Sequence, residues 1–98
     1  MNVRFLTLSQ QEVDEAFAWF NEKHEGKGVH FLDDLDRAVR LVKAYPLASA
    51  EIEPEIRRRI FPRFPYSVIY GIDGQLIVII AVAHFHRAPR YWVDRLNF

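Results

Sequence analysis

The run of eight apolar residues from Leu76 to Ala83 (LIVIIAVA) constrains the fold of this chain more than any other feature. Its length suits a β-strand and is short for a buried helix, and its Ile and Val content agrees. A strand that is apolar at every position must be covered on both faces, so it belongs inside a sheet. The rest of the chain is therefore expected to cover this strand.

A β-hairpin leads into this run. Asp73-Gly74 follows the apolar stretch 66–72 and is typical of a type I′ turn, whose two central residues need positive φ. With these two residues as the loop, Tyr70 pairs with Ile77. One face of the hairpin then carries Tyr66, Val68, Tyr70, Ile77 and Ile79, and the other carries Ile69, Leu76, Val78, Ile80 and Val82, with Ser67 and Gly71 small enough to leave room for a packing partner.

Two amphipathic helices are predicted upstream of the hairpin. Ser9 and Glu12 match a capping box that begins a first helix over residues 10–25. Its apolar stripe consists of Val13, Ala16, Phe17 and Phe20. Trp19 lies off this stripe and is expected to contact the second helix, with a partly exposed anchor as the alternative. Glycines 26 and 28 mark the turn into that second helix, over residues 29–45, which Pro46 ends.

The remaining segments complete an α+β layout. Residues 3–8 predict an N-terminal strand, residues 46–55 a loop, and residues 57–61 a strand near an edge of the sheet. Pro89 suits the first turn of a short C-terminal helix that Trp92 and Leu96 pack onto the sheet. We therefore expect one domain over residues 1–98, with a three-stranded antiparallel meander, the N-terminal strand in the same sheet and both helices on one face.

Composition sets further limits on function. The chain has no cysteine, which excludes disulfides and thiolate metal sites and favours a reducing compartment. The N-terminus becomes acidic before a signal peptide could form, and no segment approaches the length of a transmembrane helix. These features predict a cytoplasmic protein with no membrane partner.

The two halves of the chain carry opposite charge. Residues 1–53 contain six Lys/Arg and ten Asp/Glu, whereas residues 54–98 contain seven Arg, no Lys and three Asp/Glu. Arginine presents a planar fork that binds carboxylates and phosphates through two hydrogen bonds. The basic half therefore suggests recognition of such groups, and a solvated polar face is the alternative.

The residues after the apolar strand are the candidates for chemistry. His84 and His86 share one strand face but have no third ligand, so we expect no metal and no cofactor. The cluster that follows is rich in Arg and aromatic residues. It fits a ribonuclease, in which Arg stabilises phosphate and His or Tyr donates a proton, or a binding surface in which the same residues are anchors.

An ordered set of short motifs resembles the RelE/ParE toxin superfamily, on its ParE-like side. The motifs are RIFPRFPY at 59–66, VIY at 68–70, AVAH at 81–84 and RAPRYW at 87–92, followed by Arg95. The resemblance implies a toxin of a type II toxin–antitoxin module, such as a plasmid stabilisation system. It also implies a cognate antitoxin whose C-terminal segment wraps the helical hairpin and sheet, and through which the toxin oligomerises.

The superfamily contains two activities. RelE-like members cleave mRNA on the ribosome with basic residues and a C-terminal Tyr or His, and ParE-like members poison DNA gyrase without accepted catalytic residues. Glu51, Glu53 and Glu55 stand where RelE-like members often carry lysines, and acids repel the mRNA backbone. This difference favours gyrase inhibition by contact.

Under this interpretation the chain has no catalytic residues, and its binding residues are Arg57, Arg58, Arg59, Arg87, Arg90, Tyr91, Trp92 and Arg95. The first alternative is a ribonuclease that uses Arg63, His86, Arg87 and Tyr91, with Glu55 as a candidate base. A second alternative is a non-toxic binding domain with the same fold.

Overall fold

The computed structural model describes residues 1–97 and contains one five-stranded sheet and two helices. The elements are β1 (Asn2–Phe5), α1 (Thr7–Lys23), α2 (Lys27–Ala44), β2 (Ala50–Glu53), β3 (Ile56–Ile60), β4 (Tyr66–Asp73) and β5 (Leu76–His84), followed by a 3₁₀ turn at Val93–Arg95. The strand order is β1-β5-β4-β3-β2, with β1 parallel to β5 and the other neighbours antiparallel. The apolar strand β5 thus lies inside the sheet, and the predicted α+β class is confirmed.

Each face of the sheet has its own core. The helices cover one face, where α1 and α2 bury an aliphatic and aromatic cluster against the sheet. This first core contains Val13, Ala16, Phe20, Phe31, Leu35, Ala38, Val42, Phe61, Val68, Tyr70, Ile77, Ile79 and Val82. The second core lies on the opposite face and contains Ile56, Ile69, Val78, Ile80, Ala81 and Trp92, with Leu96 packed against it. The C-terminal segment therefore covers the face that the helices leave open.

The β4–β5 hairpin has a different register from the predicted one. Asp73 pairs with Leu76, so the loop is Gly74-Gln75, and Tyr70 pairs with Ile79 instead of Ile77. Gly74 has φ 60 at the first loop position, which is the requirement of a type II′ turn, so Asp73 keeps an ordinary backbone conformation. The shift is two residues, and the faces of the strands are therefore preserved.

A β-bulge at Ile80 changes one predicted face. Ile69 pairs with Ala81 and Tyr70 with Ile79, which leaves Ile80 without a partner. Beyond the bulge the alternation of side chains is reversed. Val82 therefore lies in the first core with the helices, and not beside Ile80 as the unbroken alternation predicts.

The segment predicted as a loop contains an additional strand. Residues 50–53 form β2, an edge strand, and the meander therefore has four strands instead of three. Glutamate is unfavourable in strands, but Glu51 lies opposite Arg57 of β3 and forms an ion pair with it at 3.6 Å. The turn into β3 places Glu55 at φ 67, in the left-handed region.

The predicted capping box at Ser9 and Glu12 does not form. Strand β1 leads directly into α1, since the Leu6 amide still donates to the Ile79 carbonyl, and Leu6 is the N-cap. Ser9 lies inside the helix and shares its hydroxyl hydrogen between the carbonyls of Leu6 and Ile79, at 2.8 and 2.9 Å. Glu12 is consequently free to bind elsewhere.

The predicted C-terminal helix is reduced to the single 3₁₀ turn Val93–Arg95. Arg90 has φ 59, and a left-handed residue cannot continue a right-handed helix from Pro89. Trp92 nevertheless packs onto the sheet as predicted, with 4% of its surface exposed.

Candidate functional site: a cleft and the C-terminal patch

A cleft of about 760 Å³ opens between α1 and the paired ends of β4 and β5. We call this feature the cleft. Its apolar surface is formed by Ala16, Phe20, Phe64, Tyr66 and Val82. Trp19 is 53% exposed at its rim, where its ring packs edge-on against Phe20 and lies 5.3 Å from Nζ of Lys23. This exposure agrees with the alternative prediction of a partly exposed anchor.

Charged side chains of opposite sign line the cleft. Glu12 and Glu15 lie on the α1 side, and Lys27, Arg63 and Arg87 complete the lining. Such an arrangement can orient a bound segment, because electrostatic complementarity fixes register more than it adds affinity.

The loop that carries Arg63 is held by a buried carboxylate. Asp34 of α2 is 2% exposed, and one of its oxygens accepts the backbone amides of Arg63 and Phe64 at 2.9 and 2.8 Å. Hydrogen bonds to an ionised acceptor are the stronger kind. The backbone beside the cleft is therefore fixed, while the Arg63 side chain is exposed.

Glu12 is the point at which three parts of the chain meet. Its carboxylate accepts the Val82 amide at 3.1 Å, the Tyr91 hydroxyl at 2.5 Å and the Arg95 guanidinium at 2.9 Å. Arg95 also donates to the Ile80 carbonyl at 3.0 Å. The Arg95 and Glu12 side chains are only 14% and 12% exposed, so this ion pair is internal.

This environment changes two pKa values. Burial raises the pKa of the Tyr91 hydroxyl, and the hydrogen bond to Glu12 and the charge of Glu12 raise it further. Burial alone would lower the pKa of Arg95, but the Glu12 carboxylate outweighs burial, so the pKa of Arg95 is raised. Tyr91 keeps its proton and Arg95 keeps its charge as parts of one cluster.

The exposed residues after β5 form a second feature, the C-terminal patch, consisting of Phe85, Arg87 and Arg90. Phe85 is 50% exposed, and both arginines are exposed. The Arg87 guanidinium stacks over the Tyr91 ring at 3.9 Å, and Arg90 pairs with Glu53 of β2 at 3.2 Å. The patch lies beside a concavity of about 490 Å³ on the sheet face away from the helices.

The structure separates the eight predicted binding residues. Arg87 and Arg90 are exposed, Tyr91 is half-buried, and Trp92 and Arg95 face inward. Of the three consecutive arginines of β3, Arg57 is committed to the carbonyls of Leu47 and Ser49 and to Glu51. Arg58 and Arg59 point to opposite faces of the sheet, and Arg58 is exposed.

Four residues of the ribonuclease alternative lie in one region, and Glu55 lies apart from them. Arg63, His84 and Arg87 line the cleft, and His86 is exposed nearby, with its amide bonded to Nδ1 of His84 at 3.0 Å. Glu55 lies at the opposite end of β3 from this region, roughly 17 Å of strand away at 3.3–3.4 Å per residue. The Tyr91 hydroxyl already donates a hydrogen bond to Glu12.

Sequence reasoning missed Glu12 as a residue of the site. Glu12 fits a capping pattern, and the partners that redirect it are 70 to 83 positions away in the chain. The sequence did indicate an exposed Trp19 as an alternative, since a large aromatic residue off the apolar stripe of an amphipathic helix is a candidate for exposure.

Within residues 1–97, no three His, Cys, Asp or Glu side chains are grouped closely enough to hold a metal ion. No helix in this part of the chain is long and apolar enough to span a membrane.

The strand–hairpin–sheet order, and the Arg and aromatic residues after β5, agree with the fold class implied by the RelE/ParE resemblance. Residues 3–89 match the family model described as the ParE toxin of the type II toxin–antitoxin system, parDE. The chain therefore belongs to the ParE toxin family and is the toxin component of a type II system.

A solved structure described as the chromosomal ParDE toxin–antitoxin system from P. aeruginosa contains a similar chain. The TM-score is 0.75 at 17% identity, over 86% of this chain and 95% of that chain. At this identity the similarity concerns the fold. No curated protein sequence matches the chain.

Proposed function

We propose that this toxin acts in the cytoplasm by binding a protein target, DNA gyrase, and that a cognate antitoxin neutralises it by occupying the cleft. The observation that carries the first part is the C-terminal patch. Exposed Arg87, Arg90 and Phe85 follow a strand that is rigidly held inside the sheet. Arginine and aromatic residues dominate interface hot spots, because they combine large buried area with directed polar contacts.

Bond cleavage has less support in the same region. A general acid and base must reach the reacting atoms in one place. Glu55 is at the far end of the sheet, and the Tyr91 hydroxyl is bonded to Glu12 and has a raised pKa. The acidic residues Glu51 and Glu53 of the edge strand also oppose an RNA backbone.

The target is tested by comparing Arg87→Ala and Arg90→Ala with His86→Ala. Loss of a hot-spot arginine should lower toxicity and the inhibition of supercoiling by purified gyrase about tenfold or more, which corresponds to at least about 1.4 kcal/mol. His86→Ala should leave both activities largely intact, with cellular mRNA uncut throughout. Position-specific mRNA cuts that disappear in His86→Ala would establish the ribonuclease alternative instead.

The cleft supports the antitoxin part of the proposal. Its apolar lining includes Phe20, Phe64 and Val82, and the exposed Arg63 pairs with no carboxylate of residues 1–97. An amphipathic segment with an acidic residue can bury its apolar side here and pair with this arginine. The space predicted beside Ser67 and Gly71 is a weaker candidate, since both are buried on the face that Trp92 and Leu96 cover.

The antitoxin site is tested with Arg63→Glu. The reversed charge should weaken the complex with the antitoxin encoded beside the toxin gene about tenfold or more, since interface charge pairs are coupled by about 1.5 kcal/mol or more. Arg40→Glu is the matched control, because Arg40 is exposed on α2 and, within residues 1–97, its side chain pairs only with Asp36. Equal affinity of the antitoxin for both variants would remove the cleft as its site.

A further inference from the structure

The segment after β5 has no strand partner to fix its position. His84 is the last residue paired with β4, and between Phe85 and Asn97 the only regular element is the 3₁₀ turn Val93–Arg95. One backbone hydrogen bond ties the start of the segment, since the Phe85 amide donates to the Pro65 carbonyl at 3.0 Å, and side chains hold the rest. Trp92, in the second core, fixes one point.

Glu12 fixes another point, in addition to the ion pair of Arg90 with Glu53. It lies on α1, and its two oxygens accept the Tyr91 hydroxyl and two nitrogens of the Arg95 guanidinium, at 2.5, 2.9 and 3.3 Å. The Val82 amide donates to the same carboxylate, so the segment is tied to both α1 and β5. A carboxylate has about four acceptor positions, and these four contacts occupy them.

Tyr91 transmits this constraint to the patch. Its ring lies beneath the Arg87 guanidinium at 3.9 Å, which is a close cation–π distance. Arg87 pairs with no carboxylate of residues 1–97, so the ring is the contact that orients it. A long arginine side chain without such a contact loses considerable rotamer freedom when it binds a partner.

We infer that Glu12 is a positioning residue of the toxin, which holds the Arg87 guanidinium in its binding orientation through the Tyr91 ring. The effect on target binding rests on the proposed function, whereas the effect on Arg87 itself does not. Holding one flexible side chain in place contributes about two- to tenfold in affinity. Glu12 is thus expected to raise the affinity for the target without contacting the target itself.

The first test measures the Arg87 side chain directly. In the whole protein, the ¹⁵N relaxation of Arg87 Nε should show an ordered group in the wild type and greater mobility in Glu12→Gln. Tyr91→Phe, which removes only the hydroxyl, should show the same change if Glu12→Gln folds poorly. Glu22→Gln, the same change at an exposed position of α1, should match the wild type.

The Trp92 indole signal reports whether the segment remains folded in each variant. The inference would be overturned if Arg87 Nε were as well ordered in Glu12→Gln and Tyr91→Phe as it is in the wild type. Equal loss of order in Glu22→Gln would overturn it as well.

The second test is a double-mutant cycle in a growth-inhibition assay at matched protein levels. If Glu12 acts through Arg87, Glu12→Gln should weaken toxicity about two- to tenfold in the wild type and have no further effect in Arg87→Ala. Additive losses would mean that Glu12 acts independently of Arg87. A wild-type chain that does not inhibit growth would contradict the proposed function alone, since the relaxation measurement still decides the role of Glu12.

Discussion

At the scale of the residue, the Tyr91 hydroxyl links the stability of the fold to pH. Burial and the Glu12 contact raise its pKa above the ordinary value of 10.0. When pH rises past about 10, the unfolded chain therefore releases this proton before the folded chain does. The stabilisation that the hydroxyl provides is complete at neutral pH and is lost progressively above about pH 10. Burial raises the pKa of Tyr66 in the same direction.

Tyr91→Phe should flatten this alkaline loss of stability. The variant is expected to be less stable than the wild type at neutral pH, because the Glu12 carboxylate loses a donor. Its free energy of unfolding, measured with urea between pH 8 and 11, should fall less steeply than that of the wild type. Tyr45→Phe, the same change on an exposed ring, is the control for loss of a hydroxyl. Parallel slopes for Tyr91→Phe and the wild type would contradict the prediction.

The arginines show how far single residues can be interpreted from sequence. The basic half and the family motifs identify the arginines, but they do not show which guanidinium groups are free. Arg95 is bound by Glu12, Arg57 by backbone carbonyls and Glu51, and Arg90 by Glu53. Each of these partners is distant in sequence or belongs to a strand that was not predicted. The free groups become apparent only when the fold brings the acidic half against the basic half.

At the scale of the element, the helical hairpin depends on one close approach. A Cβ at Gly28 would lie 2.7 Å from the Phe17 carbonyl oxygen and 2.8 Å from Oδ1 of Asn21. The Asn21 side chain accepts the Gly28 amide at 2.9 Å and so satisfies one free amide at the start of α2. The glycine permits both the packing and the cap.

Gly28→Ala should therefore destabilise the protein, although alanine favours helix by about 1 kcal/mol. Forcing a methyl group against backbone typically costs about 1–3 kcal/mol, and loss of the Asn21 contact adds to this cost. Val29→Ala, at the next and exposed position, is the matched control. Urea denaturation of both variants measures the difference. An unchanged or higher urea midpoint for Gly28→Ala would show that α1 and α2 can move apart to accommodate the methyl group at little cost in free energy.

The elements that can be predicted from sequence are those whose signals are local. Both helices and the β4–β5 hairpin follow from periodicity and apolar content, which are local properties. Strand β2 was missed because its glutamates become favourable only opposite Arg57 and near Arg90. The bulge at Ile80 was missed because an apolar run gives no local sign of where alternation reverses.

At the scale of the whole molecule, Trp92 closes the second core. It is 4% exposed among Ile56, Ile69 and Ile80. Replacing a buried Trp with Ala typically costs about 3–5 kcal/mol, a large part of the 5–15 kcal/mol that stabilises a typical domain. Trp92→Ala should therefore lower the free energy of unfolding by this amount.

The matched control for Trp92→Ala is Trp19→Ala, which makes the same change at a site that is 53% exposed. Denaturation curves should place Trp19→Ala within about 1 kcal/mol of the wild type, as expected for a surface substitution. Similar losses for the two variants would mean that the C-terminal segment contributes little to the fold.

The pairing of β1 with β5 also affects the order in which contacts form during folding. The first strand of the chain finds its neighbour in the last strand, and Glu12 finds Arg95 at a separation of 83 residues. Contacts between residues so distant in sequence form late in folding, because the intervening chain must first be ordered. During synthesis, the helical hairpin can form while β1 and Glu12 still lack their partners. A growing chain thus acquires the complete surface only after Arg95 has been added, and a product that stops before Tyr91 lacks the contacts that complete it.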